Sequence, residues 1–125
     1  MKLLTYNFLT SSAIKGVKVG YPLKLHQVLS QREVPSDYNA EFLVRMIPRL
    51  EWLTVLEGAK AIGYIDKLPL EIPQTFSNDT DFLQKLHHVL FEIDITDGYL
   101  ECPETGRKFT ISNGIPNMLL NEDEV

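Results

Sequence analysis

Cys102 is the only cysteine in the chain, and it sits in the one segment shaped like a metal knuckle. Gly98 to Ser112 runs Gly-Tyr-Leu-Glu-Cys-Pro-Glu-Thr-Gly-Arg-Lys-Phe-Thr-Ile-Ser. Strand, Cys-Pro-x-x-Gly turn, strand is how a zinc ribbon offers two thiolates to a metal. A structural zinc takes about four N or S ligands, and here Thr105 stands where a second ligand would be. His26, His87 and His88 are the only histidines, and none has the paired spacing of a finger. A catalytic thiol needs a neighbouring base in an electropositive setting, and nothing local supplies one. Cys102 therefore reads as a small buried hydrophobe in a ribbon that lacks its metal ligands.

The other candidates for chemistry are weaker. Glu51, Glu57 and Glu92 have the right functional group for acid–base work, but their context reads as solvated helix faces. His87 and His88 are adjacent on a helical pattern, so their side chains point about 100° apart and do not converge on one ion. One is expected at the border of an apolar stripe and the other in solvent. The chain has no Gly-rich phosphate loop, no His-Glu-x-x-His and no Gly-x-Ser-x-Gly. Nor does it have a glycine-rich strand-turn-helix for S-adenosylmethionine or a dinucleotide. No catalytic, cofactor-binding or metal-binding residue is assigned.

Bulk properties narrow the class further. The net charge is −5, with 12 basic and 17 acidic residues, whereas a phosphate-tracking surface needs clustered Lys and Arg. The basic residues are scattered, with small groups at Arg45/Arg49 and Arg107/Lys108. One cysteine excludes an intramolecular disulfide and fits a reducing compartment. No apolar run approaches the ~18–20 residues of a membrane span, and the apolar start is too short and interrupted for a signal peptide. The expectation is a soluble intracellular protein.

These features need elements to position them. At 125 residues the chain suits one domain, or one with a sizeable insertion. Residues 1–9 read as a strand with Leu3, Thr5 and Asn7 on one face and Leu4, Tyr6 and Phe8 on the other. Gly16, Gly20 and Pro22 mark a loop, and Tyr21 to Val28 alternates loosely enough for a short strand. Asn39 is placed to cap a helix over Ala40–Ile47, which Pro48 ends or kinks. Glu51 to Ile62 continues the helical spacing up to Gly63. Asn78 or Asp79 caps the best helix, with Phe82, Leu83, Leu86, Val89, Leu90 and Ile93 at helical spacing. Asp97-Gly98 is a turn signal, and Tyr99–Cys102 with Lys108–Ser112 makes a hairpin. Ile115–Leu120 is a closing strand, and Asn121–Val125 an acidic tail expected to be mobile. The fold class is α+β: a small zinc-ribbon-like antiparallel sheet formed by both chain ends, with an inserted helical subdomain. The division places residues 1–34 and 94–125 in the β domain and 35–93 in the insertion.

The terminal strand carries more apolar surface than one face can hold. Ile115, Met118, Leu119 and Leu120 cannot all point one way. Some of them close the small core. The remaining face and the strand edge suit a second chain, because an open apolar edge invites strand addition. Pro116 removes one donor, which suits an edge strand.

Four motifs then resemble a known family, the eukaryotic multifunctional methyltransferase subunit. They are Met1-Lys-Leu-Leu-Thr-x-Asn-x-Leu, Arg45-Met-Ile-Pro-x-x-Glu-Trp, Cys102-Pro-Glu-x-Gly-Arg and Gly114-Ile-Pro-Asn-Met-Leu-Leu. The resemblance spans nearly the whole chain in the same order and is weakest over residues 13–37 and 60–80. It implies a zinc-ribbon-like domain built from both ends with a helical insertion, and a role without catalysis. Family members bind the Rossmann-like domain of S-adenosylmethionine-dependent methyltransferases, typically by joining a strand to the partner's sheet. They keep that enzyme soluble and support its cofactor site. Partners in the family modify small-subunit ribosomal RNA, tRNA and a release-factor glutamine.

The resemblance further implies several such partners, each bound as a heterodimer, with RNA met only through them and no membrane. It implies a location in cytoplasm and nucleus. Some relatives, such as fungal ones, bind zinc through four cysteines. Here Ser11 and Gly16 fall about where the first pair would lie, and Thr105 replaces one of the second. The expectation is a zinc-less variant with no cofactor of its own, S-adenosylmethionine binding to the partner. The contact role carries over to Thr5, Asn7 and Phe8, and to Ile115, Pro116, Asn117, Met118 and Leu119. Met118→Arg or Leu119→Arg is expected to abolish partner binding in a folded protein. The competing reading is a stand-alone RNA-binding or protein-interaction ribbon using Arg45, Arg49, Arg107 and Lys108.

Overall fold

In the computed structural model, which describes residues 1–125, the chain is α+β, with one antiparallel sheet and four short α-helices. The sheet order is β1-β2-β3-β4, with β1 Lys24–Glu33, β2 Ile93–Glu101, β3 Lys108–Ser112 and β4 Ile115–Pro116. Burial alternates through β3 and on either side of a phase change at Thr96-Asp97 in β2: Ile93 and Ile95, then Gly98 and Leu100, then Phe109 and Ile111 face the core. The predicted hairpin is present, with Tyr99 opposite Thr110 and Leu100 opposite Phe109. Asn113 and Gly114 link β3 to β4 with φ of 52° and 78°. That two-residue turn matches the right-handed twist of the strands it joins.

Asp97-Gly98 is not a turn but the middle of β2. Gly98 lies opposite Val28 on one side and Ile111 on the other. A Cβ there would sit 2.3 Å from the Gln27 carbonyl oxygen, so the glycine serves a close backbone approach rather than a bend. β1 also runs past the Val28 limit that its own pattern suggested. Its exposed, polar residues carry little strand signal, and the long edge of β2 supplies the pairing from Lys24–Glu101 to Glu33–Ile93.

The helices follow their caps. α2 spans Ala40–Met46, with Asn39 Oδ1 accepting the Phe42 N–H at 3.0 Å, and gives way to a 3-10 turn at Pro48. α3 spans Trp52–Ala61 and closes at Gly63, φ 84°. There the Gly63 N–H bonds Lys60 O and the Tyr64 N–H bonds Ala59 O, the paired bonding of a Schellman end. α4 spans Thr80–Phe91, capped by Asp79, and buries Phe82, Leu83, Leu86, Val89 and Leu90. His87 is buried, while His88 is half-buried between Glu33 at 2.8 Å and Glu92 at 2.9 Å. Glu92 is not a freely solvated face. Hydrogen bonds from His88 and the Ser36 N–H hold its carboxyl below the usual range. All 23 buried apolar residues form one cluster, so sheet and helices share a single core.

Residues 1–9 depart most from expectation. Leu3–Phe8 is a helix, α1, not a strand, and it buries Leu3, Tyr6 and Asn7. A six-residue run with apolar residues at 3, 4, 6 and 8 satisfies either period. Tertiary contacts select the helix. α3 presents Gly58, where a Cβ would be 2.8 Å from Leu3 Cδ2 and 3.2 Å from Tyr6 Cδ2. Asn7 both donates to Glu51 O and accepts from Glu51 N, at 3.0 and 3.1 Å, so it caps α3 from another element. The Met1 amino group donates to Asp94 Oδ1, Ile95 O and Gly114 O at 2.6–2.7 Å. That ties the start of α1 to β2 and to the β3–β4 turn. Nor is the acidic segment free: Glu122–Glu124 forms a 3-10 turn closed by a capping box at Asn121.

Candidate docking edge

β4 is regular for only two residues, but the pairing with β3 runs one step further, as Asn117 N donates to Thr110 O at 2.8 Å. Burial alternates along this continuation. Ile115, Asn117 and Leu119 are exposed, while Pro116, Met118 and Leu120 are half-buried. Met118 and Leu120 pack on the core, whereas Ile115 is 69% and Leu119 80% exposed. The surplus of apolar residues is thus split between two faces. Met118 belongs to the inner one, so Met118→Arg would damage packing and is not a clean test of binding. Leu119 is the clean position.

The lateral edge is open as well. Along an antiparallel strand, alternate residues bond alternate neighbours. Ile115 and Asn117 turn their amides to β3, so those of residues 116 and 118 face outward; beyond them the Leu119 N–H bonds Asn117 Oδ1 rather than β3. Pro116 has no N–H. The N–H groups of Met118 and Leu120 have no partner within the chain. A shallow depression of about 580 Å³, lined by Ser112 and Ile115 to Leu119, lies along this strip. The sheet's other outer strand, β1, differs. Its pairing with β2 is broken by three register shifts and its exposed residues are mostly polar or charged, the usual protection of a free edge.

Of the three amino-terminal candidates, Thr5 and Phe8 are exposed on α1, Phe8 at 47%. Asn7 is 1% exposed and its amide is used inside the fold. The bond from the Met1 amine to Gly114 O sets the start of α1 beside the residue preceding Ile115.

Around Cys102 the structure brings together distant positions. Ser11 Oγ donates to the Cys102 sulfur at 3.0 Å. Burial pushes the thiol's pKa up, but hydrogen bonds from Ser11, Thr105 and the Glu104 and Thr105 backbone outweigh it and hold it below the ordinary value. Glu104 accepts the backbone N–H groups of Lys18, Val19 and Gly20 at 3.0, 2.9 and 2.6 Å. Those bonds hold its carboxyl low and pin the loop before β1 to the knuckle. A larger depression of about 900 Å³ between α3 and the start of β1 is reached by Tyr6, Lys60, Glu101 and Cys102. Tyr6 donates to Leu23 O, and burial pushes its pKa to about 12. Neither it nor Cys102 is paired with a general base.

Comparison with known proteins gives the family. The family model described as Trm112p-like protein matches residues 2–114. The chain belongs to the Trm112p-like family. It is 47% identical to the mouse (Mus musculus) multifunctional methyltransferase subunit TRM112-like protein, over 99% of this chain and 98% of the relative. It is 46% identical to the Arabidopsis thaliana TRM112 homolog A over the full length of both. It is 32% identical to TRM112 of Saccharomyces cerevisiae over 96% of each.

The sequence resemblance sets Ser11 and Gly16 about where a first ligand pair would lie, with Cys102 and Thr105 at the second. Ser11 and Thr105 do surround Cys102. One thiol, two hydroxyls and a glycine do not make a zinc donor set, and no cluster of three or more His, Cys, Asp or Glu is placed to hold a metal. The residues do not fit the ion. Sequence reasoning missed Glu104 as the residue that pins this region. Its partners are backbone amides 84–86 positions away, and no side-chain pattern announces them. No helix is long and apolar enough to cross a membrane.

Proposed function

We propose that this chain is a non-catalytic subunit that binds, stabilises and activates S-adenosylmethionine-dependent methyltransferases through the β4 edge. The observation that carries the reading is the open edge strip of Ile115 to Leu120. Two outward apolar side chains and two unpaired edge amides lie together on it, and strand addition uses both. Relatives named as multifunctional methyltransferase subunits support the class of partner. The partner's Rossmann-like sheet receives the strip, with Ile115, Asn117 and Leu119 facing it, Pro116 and Met118 shaping the edge, and Thr5 and Phe8 extending the contact. Asn7 contributes by holding α1 in place.

Several methyltransferases of rRNA, tRNA and release factor share this surface as alternative heterodimers, in cytoplasm and nucleus. S-adenosylmethionine binds the catalytic chain, and this subunit works without zinc. RNA contact is indirect: a net charge of −5 and the absence of a stacking row disfavour a stand-alone RNA-binding ribbon. Binding only the folded partner stabilises it by mass action. The test is co-expression with a methyltransferase catalytic subunit. Wild type is expected to raise its soluble yield and methyl transfer. Leu119→Arg is expected to lose both while its own circular dichroism and melting stay unchanged. Undiminished binding by that variant would place the interface elsewhere.

A further inference from the structure

The outward strip is scarcely paired with the sheet beyond Pro116, so something other than the sheet must hold it in shape. Arg107, at the exit of the Cys102 knuckle, reaches that far. Its Nε donates to Glu124 Oε2 at 2.9 Å and Nη2 to Glu124 Oε1 at 3.2 Å, a two-pronged pairing that fixes orientation as well as distance. Nη2 also donates to Leu119 O at 3.4 Å, and Nη1 to Lys108 O. The guanidinium lies 4.6 Å from the Phe109 ring centroid, where the ring face favours a cation. Glu124 in turn accepts the Asn121 N–H, and its own carbonyl accepts the Lys15 N–H. The strip is therefore bracketed, by the Asn113-Gly114 turn at one end and this latch at the other.

We propose that Arg107 and Glu124 are positioning residues that pre-form Asn117–Leu120 for strand addition, although neither needs to touch the partner. The inference rests on the docking reading above. Ordering a segment before binding removes that entropy loss from the binding step. The acidic segment Asn121–Val125 thereby has a purpose its composition does not reveal: it supplies the carboxylate of the latch.

The test uses the free chain and a methyltransferase catalytic subunit that co-purifies stoichiometrically with wild type. Glu124→Gln keeps shape and removes the charge. In the free chain, amide exchange is expected to quicken at Asn117, whose N–H bonds Thr110 O of β3, and at Leu119, whose N–H bonds Asn117 Oδ1, and to stay unchanged at Tyr99 and Phe109. Affinity is expected to fall by about three- to fivefold, the scale of a part-exposed pair. Faster exchange with unchanged affinity overturns the positioning role and leaves the docking edge standing. Unchanged exchange shows that the latch does not hold the strip and also overturns it. If Leu119→Arg binds like wild type, the docking reading fails and the role in docking falls with it.

Discussion

Asn7 shows how one side chain can organise a junction. Glu51 begins α3 without a side-chain cap of its own, and Asn7 satisfies its backbone N–H and C=O together. Asn7→Ala leaves the Glu51 N–H without a protein partner, while Glu51 O keeps only the Val55 N–H. The expected loss is about 1–3 kcal/mol, read from the midpoint of urea unfolding. Asn7→Asp is expected to do no better, since a carboxylate accepts from N–H but offers no donor to the carbonyl. Equal stability of Asn7→Ala and wild type would mean that water replaces the amide and that the packing of Leu3 and Tyr6 alone seats α1.

Among the elements, the informative contrast is between the sheet's two outer strands. β1 is long but bulged and polar, and β4 with its continuation is short, apolar and open. Only the second offers what a partner strand needs. The inner strand β2 depends on Gly98, which has no room for a methyl group against Gln27 O. Gly98→Ala is expected to push β1 off β2 and cost about 1–3 kcal/mol. Hydrogen exchange should rise along Lys24–Glu33 before it rises in the β2–β3 hairpin. Uniform exchange across all strands would instead mean that the sheet unfolds as one unit.

Across the whole molecule, carboxylates hold together segments that are distant in sequence. Asp94 meets the Met1 amine and Arg32, Glu104 the 18–20 backbone, Glu124 Arg107, and Glu92 both His88 and Ser36. Burial pushes Asp94 up, but the Met1 amine and Arg32 outweigh it, so its pKa lies below the usual value. Glu92 and Glu104 are also lowered, and Glu124 falls to about 2. A carboxyl depressed in the folded state binds its proton more readily once unfolded. Its stabilisation is therefore complete above the ordinary carboxylate pKa and is lost as pH falls through the folded value. Stability is expected to be flat near neutrality and to decline from about pH 5 towards pH 2. Asp94→Asn should start lower and decline less steeply, as denaturant melts at successive pH values would show. Parallel curves for the two proteins would remove Asp94 from the account.

Much of this was legible in the residues themselves. The caps at Asn39 and Asp79, the stop at Gly63, the α4 stripe and the β2–β3 hairpin all follow from signals within a few positions of one another. The surplus apolar residues after Gly114 are likewise visible in the chain. What only the tertiary structure decided has a common cause: local sequence was ambiguous and a distant partner broke the tie. Leu3–Phe8 fits either period until Gly58 and the Met1 anchor choose the helix. Gly98 reads as a turn until the neighbouring strand shows it to be a close contact. Met118 and Leu119 look equivalent until pairing with β3 turns one inward and the other out. The acidic segment looks solvated until Arg107 reaches it. Short-range patterning determined most of the elements this protein forms, and contacts between residues far apart in the chain decided the rest and which edge of the sheet stays open.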